Sequence, residues 1–180
     1  MWHSDRPLTQ QRLSNALASL LTPLPKSSFI PFISAFWKTI YTNYSTIDSL
    51  RLDKFLYLIR RYVNTAFVYL QTRQWPEELL KSYLDVIHGV LCEEQGKVSD
   101  GLRYHVLDTW LEELDETDRD GSAPVESIMD IIQDIAKTGR TKVLRQHAKV
   151  MLKDERLKDW KSSRSGAQDS NQSKGNEESE

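Results

Sequence analysis

The stretch DSLRLDKFLYLIRRYV, residues 48–63, contains neither Gly nor Pro, and its apolar side chains recur with a helical period rather than a strand's alternation. On a wheel of about 100° per residue, Leu52, Phe55, Leu56, Ile59, Tyr62, Val63 and Ala66 fall within an arc of about 120° and are expected to face a core. Arg51, Lys54 and Arg61 lie together on the far flank with Leu58 beside them, while Asp53 and Arg60 sit elsewhere on the wheel. The segment therefore reads as a helix with two uses. One side packs; the basic flank attracts phosphate backbone or an acidic partner, or else pairs with acidic helices next door.

The same period extends through the chain. SDRPLTQQRLSNALASLL opens with Ser4 or Asp5 as an N-cap and Pro7 in the first turn, and TPLPKSS breaks that helix. A second helix is expected over about 28–43, a third from the STIDS caps to about Gln74, and a fourth behind Pro76 with acids in its first turn. LRYHVLDTWLEEL gives a fifth and VESIMDIIQDIAKTG a sixth ending at Gly139. TKVLRQHAKVMLKDERLKDW gives a seventh helical region, with a break expected near Asp154. Seven helices with short connections and no strand alternation imply an all-α fold of stacked antiparallel helix pairs, compatible with irregular HEAT or armadillo stacking, although no sequence repeat is visible. Residues 1–160 are assigned to this helical domain. KSSRSGAQDSNQSKGNEESE, residues 161–180, has one apolar residue in twenty and is expected to be a disordered polar tail.

Charge is segregated along the chain. Residues 38–73 carry six basic against two acidic side chains, residues 77–126 four against fourteen, and residues 137–164 ten against three. A net charge of −2 conceals blocks whose local fields steer charged partners. The basic run at the end, with Lys142, Arg145, Lys149 and Lys153 on the seventh helix, is the stronger candidate contact for nucleic acid. Cations at a helix C-terminus also suit its dipole.

Other chemistries fare poorly. The single Cys92 cannot form an intramolecular disulfide and points to cytosol or nucleus, and no window approaches the roughly 18 apolar residues of a membrane span. His88 and Cys92 share a helix face, but zinc requires further ligands and the nearest other candidate, His105, lies on a different helix, so no metal site is expected. ETDRDGSAPVES begins like a calcium loop and fails at Ser127, where a bidentate Glu is needed; a solvated acidic turn is the better reading. No nucleophile, base and acid grouping and no phosphate-binding glycine loop can be assembled, so neither an enzyme nor a cofactor is expected.

AFWKTIYTNYSTIDSLRLDKFLYLIRRYVNTAFVYLQTRQW, residues 35–75, resembles the most distinctive part of the nucleolar ribosomal RNA-processing proteins, the Nop-type family acting on large-subunit precursors. The likeness rests on Phe36 and Trp37, Tyr44, the run Ile47 to Phe55, and Arg60 or Arg61 with Asn64. LRYHVLDTWLEELDE and TKVLRQHAKVMLKDERLKDW are similar to later segments of the family, and the likeness covers residues 1–160. MWHSDRPL resembles an internal point of the domain, so N-terminal helices are expected to be missing, leaving apolar surface on the first helix uncovered.

The resemblance implies a non-enzymatic helical scaffold in the nucleus and nucleolus. Its implied partner is the pre-ribosomal particle, with assembly factors, ribosomal proteins and precursor ribosomal RNA, and it implies neither a membrane nor a small-molecule substrate. It brings no catalytic residues; Arg51, Lys54, Arg61, Lys142, Arg145, Lys149 and Lys153 are contact candidates from charge alone. The competing expectation is a cytoplasmic helical adaptor binding only protein through the acidic 77–126 surface.

Overall fold

The computed structural model describes residues 6–93, 95–158 and 160, and among them every regular element is helical. The expected caps Ser4 and Asp5 and the expected tail at 161–180 lie outside the described residues. The helices are α1 (Pro7–Ser19), α2 (Lys26–Asn43), α3 (Ser49–Gln71), α4 (Glu77–Leu91), α5 (Asp100–Thr117), α6 (Val125–Thr138) and α7 (Lys142–Met151), with 3-10 turns at Tyr44–Thr46 and Glu155–Leu157. No helix among the described residues is long and apolar enough to cross a membrane.

Local chemistry sets the boundaries. Asp48 caps α3 by accepting a hydrogen bond from the Leu50 N–H at 2.9 Å, and Thr141 caps α7 through the Leu144 N–H at 3.1 Å. The third helix stops three residues short of the expected Gln74. Gln74 and Trp75 both take positive φ, 61° and 49°, which no helix continues. Trp75 is kept there by its N–H on the Leu70 carbonyl at 2.9 Å, its indole N–H on Ser122 Oγ at 3.1 Å, and its tilted contact with Phe67. The seventh helix ends at Met151, and Asp154 caps the short turn that follows.

The odd-numbered helices pack in chain order α1, α3, α5, α7, the even ones as α2, α4, α6, and α6 also packs on α7. Side-chain bonds give the directions. Between α1 and α3, Tyr62 Oη donates to the Leu17 carbonyl and Tyr69 Oη to the Leu24 carbonyl, so both numbers rise together. Between α3 and α5, His105 bonds the Leu56 carbonyl and Asn64 bonds Thr117; between α5 and α7 and its extension, Tyr104 meets Thr141 and Asp115 meets Arg156. Neighbours of the odd layer are therefore parallel. Across layers the order reverses: Phe29 stacks on Tyr69 with centroids 4.1 Å apart, and Phe36 on Tyr62 at 3.6 Å, so α2 runs against α3. The result is a stack of helix pairs whose in-layer partners lie 45, 49, 53, 37 and 41 residues apart. That spacing was invisible as a sequence repeat, because similar spacing is met by different side chains at every rung.

One apolar core runs between the layers, with Trp37, Ile59, Phe67, Tyr83, Trp110 and Ile132 fully or nearly fully buried. At its centre Phe67 meets Trp110 edge-on at 4.9 Å while Tyr83 lies parallel to Trp110 at 6.1 Å, arrangements that suit the ring quadrupoles. Leu8 and Leu20 of the α1 region are among the exposed large apolar side chains.

Candidate contact surface on the last helix

Helix α3 is covered on more sides than its sequence implied. The expected core residues Phe55, Ile59, Tyr62, Val63 and Ala66 are buried, and so are Leu58 and Lys54, the latter only 6% exposed. The expected solvent-facing flank is therefore corrected at two of its three basic residues. The cause is position: α3 is an inner member of its layer, flanked by α1 and α5. Arg61 is half-buried and donates from Nη2 to Asn64 Oδ1 at 3.0 Å, while Asn64 donates to Thr117 of α5 at 3.4 Å. Arg51, at the N-terminal end of α3, is exposed.

The alternative that the basic face pairs with acidic helices describes Arg60 well. Arg60 reaches Glu112 at 3.1 Å through Nη2 and the buried Glu113 through Nε. Burial pushes the Glu113 carboxyl above the ordinary carboxylate range, and Arg60 partly offsets it. A second buried cation, Arg103, is held by the Glu93 carbonyl, the Glu93 carboxylate at 3.4 Å and Asp100 at 3.1 Å. The acidic block of residues 77–126 is thus partly spent inside the fold, which its composition did not reveal. Asp118 of the calcium-like loop is fully buried: Oδ1 accepts from Ser122 N, Ser122 Oγ and Ala123 N, each at 3.0 Å, and Oδ2 accepts from Trp160 Nε1 at 2.7 Å. The expectation of a wholly solvated turn is corrected there; Gly121, with φ 69°, supplies the left-handed step the turn requires.

The basic residues of α7 divide in two. Arg145 is half-buried and donates from Nη1 to the Gly139 carbonyl at 2.6 Å, closing the C-terminal end of α6. Lys142, Lys149 and Lys153 are exposed. With Gln146 they recur at i, i+4, i+7 and i+11, one helical face carried just past the end of α7. Leu144 and Ala148 are buried on the opposite side, so the face cannot turn inward. Val143 and Val150, 51% and 61% exposed, border it. The groove between α5 and α7, about 390 Å³, adjoins this stripe and is lined by Leu107, Leu111, Val150 and Met151 with Asp108 and Glu112 on its α5 wall. Arg156 closes one end through Asp154 at 2.9 Å and Asp115 at 3.3 Å; its hydrogen bond holds the Asp154 carboxyl below the usual range. What this arrangement offers chemically is three exposed ammonium groups beside apolar contact area. That combination suits a polyanion with exposed sugar or base surface.

Comparison with known proteins agrees with the sequence resemblance. The family model described as "Nucleolar protein, Nop52" matches residues 1–180. The human protein "Ribosomal RNA processing protein 1 homolog B" is 39% identical over 116 residues, 63% of this chain and 15% of that protein. The Drosophila melanogaster "Ribosomal RNA processing protein 1 homolog" is 34% identical over 116 residues, and its Caenorhabditis elegans namesake 26% over 116. The chain spans only 17% and 29% of those two relatives. The chain belongs to the Nop52 family of nucleolar proteins.

Proposed function

We propose that this domain is a non-catalytic helical scaffold within nucleolar precursors of the large ribosomal subunit, where it supports processing of precursor ribosomal RNA. The observation that carries the contact reading is the exposed stripe Lys142, Lys149 and Lys153 on one face of α7 and its extension. Among the described residues none of its ammonium groups is engaged in an ion pair or hydrogen bond between helices. Arg51 supplies a further exposed cation elsewhere on the stack. The stripe binds phosphate backbone of precursor RNA, an attraction that weakens with salt because each contact releases counterions. The names of the human and invertebrate relatives, ribosomal RNA processing proteins, support the process.

The test is a tagged copy of the chain followed in cells, with ultraviolet crosslinking and mapping of RNA adducts. Nucleolar accumulation, co-sedimentation with large-subunit precursors and adducts on residues 137–158 are expected. Exclusion from those particles, or recovery with protein partners and no RNA adduct, would favour the protein-only adaptor and overturn the reading.

A further inference from the structure

We infer that His88, Cys92 and Asp134 form a zinc-class metal site that bridges α4 and α6, with Nε2 of His88, the thiolate of Cys92 and one carboxylate oxygen of Asp134 as ligands.

The first two donors come from one helix end. His88 lies in the last turn of α4, and Cys92 is its C-cap, with its N–H on the His88 carbonyl at 2.8 Å. A spacing of four places both side chains on the same face. The third donor comes from the neighbouring rung of the even layer, 46 residues on, where Asp134 of α6 meets His88 Nε2 at 2.8 Å through Oδ2. One donor atom from each residue lies within 4.8 Å of the other two, and all three residues are half-buried. Tetrahedral zinc with bonds of about 2.0–2.3 Å holds its donors about 3.3–3.8 Å apart. The His88–Asp134 edge therefore has to open by about half an ångström, and no edge has to close by more than about 1.5 Å to meet that geometry. Side chains that are half-exposed make such adjustments by rotation about χ angles, without backbone movement.

The donor set selects the metal. Calcium and magnesium take oxygen ligands, whereas imidazole, thiolate and a single carboxylate suit zinc and the ions that substitute for it. The surroundings favour a cation as well. The C-terminus of α4 carries partial negative charge at Cys92. Lys137, three residues from Asp134 on α6, is the opposing charge and is exposed. Three protein ligands leave one position, taken by water in the isolated chain. A His88–Asp134 pair that holds no metal is the competing account, and it differs in one respect: no sulfur-to-metal bond forms.

Cys92 is the only cysteine in the chain, so a thiolate-to-metal signal has a single source. The experiment is titration of the untagged, reduced, metal-stripped 180-residue chain with cobalt(II), read by absorbance. Expected are a thiolate-to-cobalt charge-transfer band in the near ultraviolet, visible bands of four-coordinate strength saturating at one equivalent, and displacement of both by zinc. Cys92→Ser should abolish the charge-transfer band, and Asp134→Asn should weaken cobalt binding by about tenfold or more. Circular dichroism of the metal-free variants checks the fold, and if Asp134→Asn does not fold, His88→Gln carries the same test. Absence of the charge-transfer band, its persistence in Cys92→Ser, or unchanged affinity in the folded Asp134 or His88 variant overturns the site.

Discussion

Trp160 donates its indole N–H to Asp118 at 2.7 Å, and both residues are buried. Through this bond the segment after α7 is fastened to the loop between α5 and α6. Asp118 at the same time accepts three donors from Ser122 and Ala123. Trp160→Phe keeps most of the packing but strips a buried oxygen of its donor, and should cost about 1–3 kcal/mol. Trp160→Ala adds a cavity and should cost about 3–5 kcal/mol. Urea unfolding of the two variants measures the difference.

Tyr83 presents the opposite case. Its hydroxyl is fully buried and has no hydrogen-bond partner among the described residues. Burial drives its ionisation well above the ordinary phenol range, so it stays neutral. Tyr83→Phe removes an unpaired polar group and keeps the stack on Trp110. It should raise stability by about 1 kcal/mol, seen as a higher midpoint in denaturant at unchanged slope.

His105 ties stability to pH. Burial lowers its pKa from 6.5, with the bond to the Leu56 carbonyl opposing that shift. A depressed folded value means the unfolded chain binds the extra proton first. Stability from this group is therefore complete above the unfolded value and is lost as pH falls through 6.5 toward the folded one. Melting curves between about pH 7 and about pH 5 should decline more steeply in the wild-type chain than in His105→Gln.

Charge reversal separates contact from structure. Lys142→Glu, Lys149→Glu and Lys153→Glu should each change stability by less than about 1 kcal/mol while weakening RNA binding and flattening its salt dependence. Lys54→Glu and Arg61→Glu should act through the fold, lowering the melting temperature, because one side chain is buried and the other is enclosed beside Asn64. Phe55→Ala and Ile59→Ala set the scale for core loss at about 2–5 kcal/mol. Equal melting temperatures for the Lys54 and Lys149 variants would contradict this division.

The contrast between those two lysines also marks how far the sequence could be read. Helical period placed Phe55 and Ile59 in the core correctly, since an apolar stripe must face something. It could not say that α1 and α5 would enclose the flank carrying Lys54 and Arg61, because a wheel contains no neighbours. On α7 charge alone singled out Lys142, Lys149 and Lys153, and they are exposed because that helix lies at the end of its layer. Arg145 was grouped with them by charge, although its guanidinium closes the end of α6. His88 and Cys92 were visible as a pair from their spacing; Asp134 was not, because only the stacking of α4 on α6 brings it near. The buried role of Asp118 was hidden in the same way by a partner 42 residues distant.

Parallel neighbours within a layer give the molecule a mechanical character. Each rung leans mainly on the next, so a small change in the angle between adjacent rungs is repeated along the axis, as in a leaf spring. The edge at α1 and the edge at α7 are thus joined in the odd layer through α3 and α5.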